Sequence, residues 1–204
     1  MDHRAPLSWP VDKGAFAGSL RRDCRGLRLG FLGDLGGHLP MEPGVLDLVR
    51  DGLKHFEQIG CIVEETSAGF DMEQLWESWV TLRAFLVAGH SRPLYDKAET
   101  RALLKLFERY DALVLPTAQL FAFPAETHWP QMIAGKSMDT YHRWMEVVVP
   151  ASIAGVSALA LPCGFDASGR AMGLQLIGKP HADRFLLQLG HAYEHSTGLS
   201  QYRP

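Results

Sequence analysis

Three groups of residues have types and spacing that could do chemistry. His191, Glu194 and His195 read H-x-x-E-H. Two histidines four apart lie on one face of a helix and could chelate zinc, with the glutamate as general base. A catalytic zinc also needs a third protein ligand and a cleft. The pair sits near the end of the last helical stretch, and the segment after it offers no ligand, so a solvated helix face accounts for it better. Cys163, in Pro162-Cys163-Gly164, could act as a nucleophile beside a histidine. Nothing in the sequence places one there, and an unpaired cysteine at a strand end commonly packs as a small apolar residue. Gly30, Gly33, Gly36 and Gly37 follow a strand and precede a helix. Their spacing is G-x-x-G-x-x-G-G rather than the dinucleotide G-x-G-x-x-G, and Asp34 would repel a pyrophosphate. Neither a G-x-S-x-G elbow nor a Walker loop occurs in the sequence. No metal or organic cofactor is implied.

Composition narrows the classes further. The 204 residues are 47% hydrophobic and 21% charged with a net charge of −3, which suits a globular domain and gives no electrostatic footprint for nucleic acid. Arg21, Arg22, Arg25 and Arg28 cluster, but Asp23 interrupts them. Cys24, Cys61 and Cys163 are odd in number and show no C-x-x-C, which favours free thiols and a cytoplasmic setting. The first residues contain no apolar signal core.

These residues must be positioned by elements that the hydrophobic pattern outlines. Residues 1–26 read as an irregular N-terminal strap, with Trp9 and Phe16 needing a surface to cover. Residues 27–204 read as a single α/β domain. Leu27–Leu32 alternates as a strand. A helix follows from Pro43, with Val45, Leu46, Val49, Leu53, Phe56 and Ile59 on one face and Gly60 at its end. Cys61–Glu64 is the next strand, so the pair should be parallel with a right-handed crossover. A helix over 71–88 is capped by Asp71 and ended by Gly89, Ser91 and Pro93. Another runs over 96–110, and the strand Ala112–Leu115 stops at Pro116. Residues 120–138 form a long loop with Phe121, Phe123, Trp129 and Met132, a lid or pocket wall in one reading and aromatics pinning a loop in the other. From Asp139 the spacing of Tyr141, Trp144, Met145 and Val148 predicts a helix. The last helix spans 183 to 195 or 196.

Between them lies Val147–Gly178, which holds the most strand-like runs, Ser157–Leu161 and Leu174–Ile177, joined by a turn over Phe165–Arg170. Val147–Phe165 is long enough to span a bilayer and has no charged residue. Pro150, Gly155, Pro162 and Gly164 break it, so a helix end, a turn and a strand fit better than a membrane helix.

Several of these segments together resemble the C-terminal half of the amidase signature family. They are Tyr110-Asp111-Ala112-Leu113-Val114-Leu115-Pro116-Thr117, Ala151–Gly155, Leu161-Pro162-Cys163-Gly164-Phe165 and Met172-Gly173-Leu174-Gln175-Leu176-Ile177-Gly178. Gln188–Glu194 resembles its terminal helix, and Leu27–Pro43 the segment after its catalytic region. The resemblance implies a mixed β-sheet flanked by helices and a parent activity of hydrolysing a carboxylic amide to acid plus ammonia or amine. Family members use a serine nucleophile, a second serine as relay and a lysine base. The resemblance places those residues ahead of this sequence. No Ser-Ser dipeptide occurs here, and Lys13, Lys54, Lys97, Lys105, Lys136 and Lys179 match none of that context. The sequence also departs from the family at Ser152 (often Asn), at Ser157 (in place of the Pro of Gly-x-Pro) and at Ala171 (in place of Pro). The expectation is a truncated, inactive amidase-like chain with no catalytic residue of its own. Thr117, Gln119, Trp144 and Ser152 would line the substrate pocket. An exposed sheet face would take a separate N-terminal amidase half or a second copy, with no nucleic acid and no membrane as partner. The alternative is a non-catalytic interaction or ligand-binding module.

Overall fold

The computed structural model describes residue 10, residues 14–87 and residues 98–201. The expected helix-ending residues Gly89, Ser91 and Pro93, the helix start at Asp96 and the aromatic Trp9 lie outside them. Residues 14–26 run as turns and irregular chain. Strand β1 (Arg28–Phe31) leads through the glycine loop into α1 (Val45–Gln58), which begins two residues after Pro43 because Gly44 takes a left-handed φ of 93°. β2 (Ile62–Glu65) pairs parallel with β1, as a β-α-β unit requires. Helix α2 (Met72–Val87) follows; Asp71 Oδ1 accepts from Glu73 N at 2.9 Å and Gln74 N at 3.2 Å, an N-cap of the expected kind. Then come α3 (Ala98–Leu106) and β3 (Ala112–Pro116).

The loop after β3 contains a minimal hairpin, β4 (Met132–Ile133) with β5 (Lys136–Ser137), turning through Ala134 and Gly135, both at positive φ. Beyond it the sequence predicts one helix from Asp139, and the structure corrects this. A 3-10 segment, Arg143–Val148, kinks at Met145 and passes into α4 (Val149–Ala154). Pro150 explains the break: it has no N–H to donate to Glu146 O, and its ring would crowd that carbonyl in a continuous helix. Gly155 closes α4 at a left-handed φ of 60°.

β6 (Ala158–Phe165) and β7 (Ala171–Ile177) form the expected hairpin, longer than the sequence pattern suggested. Register skips between Pro162 and Gly164, so Cys163 sits in a β-bulge. Helix α5 (Asp183–Thr197) completes the fold. The sheet order is β2-β1-β3-β7-β6, with β7 antiparallel to both neighbours, giving the mixed α/β sheet flanked by helices that was expected. Helices α1 and α5 cover one face through Val49, Leu53, Phe56, Leu186, Leu189 and Tyr193. The other face is covered by α3 and α4 around Leu103, Phe107, Leu113, Leu115, Ala151 and Ile177. β6 is the edge, and no described strand pairs with its outer side.

Candidate functional site

The end of β3 positions the site. Thr117 N donates to Gly173 O at 2.9 Å, extending the β3–β7 ladder by one residue, and Thr117 Oγ1 donates to the same carbonyl at 3.0 Å. This packing needs a glycine. A Cβ on Gly173 would come within 2.9 Å of both Leu161 O and Thr117 Oγ1. Gln175, two residues on and buried, donates from Nε2 to Pro116 O at 2.9 Å and to Val147 O at 3.2 Å. It thereby ties the 3-10 segment to the end of β3. The Met-Gly-Leu-Gln run is thus the contact that fixes Thr117 and the helix beside it.

Two depressions flank Thr117. One, of about 270 Å³, is lined by Thr117, Ser152, Ala158, Ala160 and Gln175, with Val148 and Ala151. The other, of about 210 Å³, is lined by Thr117, Phe121, Phe123, Trp144, Met172 and Gly173 among others. Phe123 stands edge-on to Trp144 with ring centroids 5.6 Å apart, forming an aromatic wall. Of the sequence candidates, Thr117 lines both depressions, Trp144 the second and Ser152 the first. Ser152 Oγ donates to Val148 O at 2.9 Å, an i−4 bond that occupies its proton within α4. Gln119 lies elsewhere. It is fully buried, its Oε1 accepting from Val147 N and its Nε2 donating to Pro40 O, each at 3.3 Å, so it braces the chain behind the depressions. Sequence reasoning passed over Gln175, although a polar residue inside an otherwise apolar strand signals a buried hydrogen bond.

A third depression, of about 310 Å³, has charged walls that include His38, Glu73, Lys136, Asp139, Arg143 and Glu146. Glu146 is buried, 2.8 Å from His38 Nε2 and 3.2 Å from Arg143 Nη1. Arg143 also pairs with Glu73 and Asp139 and lies 4.3 Å over the Trp76 ring. Burial works against its charge, but the hydrogen bonds to Glu73 and Asp139 and the nearby Glu146 raise its pKa overall. Every carboxylate here already faces a cation, so the cluster reads as a clamp joining the glycine loop, α2 and the 3-10 segment. No sequence motif marked it, because its members are far apart in the chain.

The histidine pair and the cysteine lie away from these depressions. His195 Nδ1 is 2.8 Å from His191 O and the two rings are 4.2 Å apart. Among the described residues no group of three or more metal-ligating side chains converges. Cys163 is buried, and burial pushes its thiol up to about 12, away from the thiolate a nucleophile needs. Its Cβ faces Gly52, where an added Cβ would come within 2.8 Å. No described helix is long and apolar enough to cross a membrane.

Known proteins share this frame. The family model described as Amidase matches residues 92–187. A glutamyl-tRNA(Gln) amidotransferase subunit from Thermodesulfovibrio yellowstonii is 27% identical over 255 positions, covering 97% of this chain and 50% of that protein. Because this chain has 204 residues, the relative carries further sequence inside the matched span. The corresponding protein of Picosynechococcus sp. is 36% identical over 127 residues, 58% of this chain and 24% of that protein. Among solved structures, a bacterial aryl acylamidase belonging to the amidase signature enzymes superposes with a TM-score of 0.77 at 21% identity. The match covers 100% of this chain and 51% of that one. A 6-aminohexanoate cyclic dimer hydrolase gives 0.70 at 17% identity, covering 100% and 52%. The chain spans about half the length of these relatives where the match is full.

Proposed function

Because the chain belongs to the amidase signature family, we propose that it is the substrate-side half of an amidase scaffold and is inactive by itself. The parent reaction is hydrolysis of a carboxylic amide to acid plus ammonia or amine. In that reaction a serine attacks the amide carbon while a lysine, acting through a second serine, takes its proton. This chain would contribute the floor and wall around Thr117, Trp144 and Ser152. The observation that carries the reading is the match of the whole chain to half of its relatives, combined with two depressions around Thr117 whose lining includes no lysine, histidine or carboxylate. Thr117 and Ser152 both spend their hydroxyl protons on backbone carbonyls.

The open side of the sheet supports a partner. Gly178 N donates to Ser157 O at 2.8 Å, so alternation turns Leu159 and Leu161 main-chain groups toward β7 and those of Ala158 and Ala160 outward. Their small side chains, with exposed Pro162, leave this face bare beside the Thr117 depression. An uncharged edge that no described strand pairs with is a template for another strand. We assign it to a separate N-terminal amidase half, or to a second copy where that half is lacking. Three free thiols support a cytoplasmic setting. The test is an amidase assay of the purified chain on simple primary amides and anilides. The expected rate equals the buffer blank, and saturable hydrolysis that tracks the protein through purification contradicts inactivity.

A further inference from the structure

The segment over residues 14–26 has no helix or strand and is tied down at a few points. Gly26 N donates to Gly60 O, and Arg22 Nη1 donates to Gln188 Oε1 at 3.2 Å while its guanidinium lies 4.9 Å over the Phe185 ring. Two of the three thiols meet under this segment. Cys61 Sγ donates to Cys24 O at 3.5 Å, and Cys24 Sγ to Arg22 O at 3.7 Å. Both residues are buried, at 3% and 6% exposure. The Cys61 sulfur thus lies against the main chain of Cys24, and both side chains belong to the same buried cluster. Neither takes part in the site at the end of β3.

We propose that Cys24 and Cys61 are a dithiol–disulfide couple that locks the N-terminal segment onto the turn before β2, with a low-molecular-weight disulfide such as glutathione disulfide as oxidant. In the first step the Cys24 thiolate attacks one sulfur of the oxidant. A Cys24–glutathione bond forms, the oxidant's S–S bond breaks, and one glutathione thiolate leaves. In the second step the Cys61 thiolate attacks the Cys24 sulfur and expels the second glutathione. The two protein thiols lose two electrons, the oxidant gains them, and the two protons end on glutathione. The fold gates this exchange. While the segment is seated, burial raises the Cys24 thiol and pushes the Cys61 thiol up to about 12, so thiolate is scarce. Lifting the segment exposes Cys24 with Arg22 and Arg25 beside it. Reseating then brings the mixed disulfide back to Cys61. The closed loop encloses β1 and α1, so its cross-link constrains the unfolded chain.

The experiment uses the full chain, reduced, then held with excess glutathione disulfide at neutral pH, alkylated and peptide-mapped without reductant. The expected product is a Cys24–Cys61 cross-linked peptide, reversed by dithiothreitol, with a melting temperature raised by about 5 °C. In Cys61→Ser the mixed disulfide should persist on Cys24. Unmodified thiols, stable glutathione adducts on the unsubstituted chain, or a disulfide involving Cys163 would each overturn the proposal.

Discussion

Gly173 decides whether Thr117 can sit where it does. Its missing Cβ leaves room for the Thr117 hydroxyl on one side and Leu161 O on the other. Gly173→Ala is therefore expected to push β7 away from its neighbours and to destabilise the fold by about 2 kcal/mol, the usual cost of overpacking. Urea denaturation followed by circular dichroism measures it. Cys163 gives a second prediction, through pH. Its folded thiol lies at about 12, above the ordinary value of 9.0, because burial disfavours the thiolate. Below pH 9 both folded and unfolded thiols hold their proton and the contribution is fully present. As pH rises from 9 toward 12 only the unfolded thiol ionises, so stability falls, by about 1.4 kcal/mol at pH 10. Cys163→Ala should remove that share of the alkaline loss, leaving the share of the buried Cys24 and Cys61 thiols, in denaturation curves measured at pH 7.5 and pH 10. At this scale the sequence was partly legible. Thr117, Trp144 and Ser152 flank recognisable segments and line one or other of the two depressions. Gln119 flanks one too, yet its side chain turns inward to Val147 and Pro40, a rotamer choice that no spacing records.

The elements were legible where one physical signal dominates. Alternating or continuous apolar runs bounded by Gly and Pro marked β1, β3, β6 and β7. Asp71 marked the start of α2 through its side-chain oxygen. The segment after Asp139 was misread because Tyr141, Trp144, Met145 and Val148 keep helical spacing across a kink. Pro150, further along, held the contrary signal. The bulge at Cys163 was illegible, since it depends on the partner strand's register. The consequential element is β6. Its outward main-chain groups at Ala158 and Ala160, with small uncharged side chains, make self-association expected. Ala160→Lys places a charge on that face and is expected to return the chain to monomer without changing its far-ultraviolet spectrum. Sedimentation velocity of the two proteins checks this. A monomeric unsubstituted chain would remove the grounds for a sticky edge.

Across the whole chain, the sheet and its helices form a frame that carries the Thr117 depressions at the end of β3 and the open β6 edge. The family was legible because the segments that carry the resemblance are the ones that packing fixes. Gly173 and Gln175 hold Thr117 and Val147, and Gly178 lies where a Cβ would meet Ala182 and Leu186. The charged clamp around Arg143 was not legible, because it joins His38, Glu73 and Glu146 across more than a hundred residues. Such a frame should hold no activated serine: Ser152 Oγ donates to Val148 O, and Ser196 Oγ, 3.2 Å from His55 Nδ1, lies away from the Thr117 depressions and also meets Gln58 Oε1 at 3.4 Å. A serine-directed fluorophosphonate, incubated with the folded chain and followed by intact-mass spectrometry, puts that to the test. No adduct beyond that of the heat-denatured chain is expected. Stoichiometric labelling of one serine in the folded protein, lost on denaturation, would contradict it.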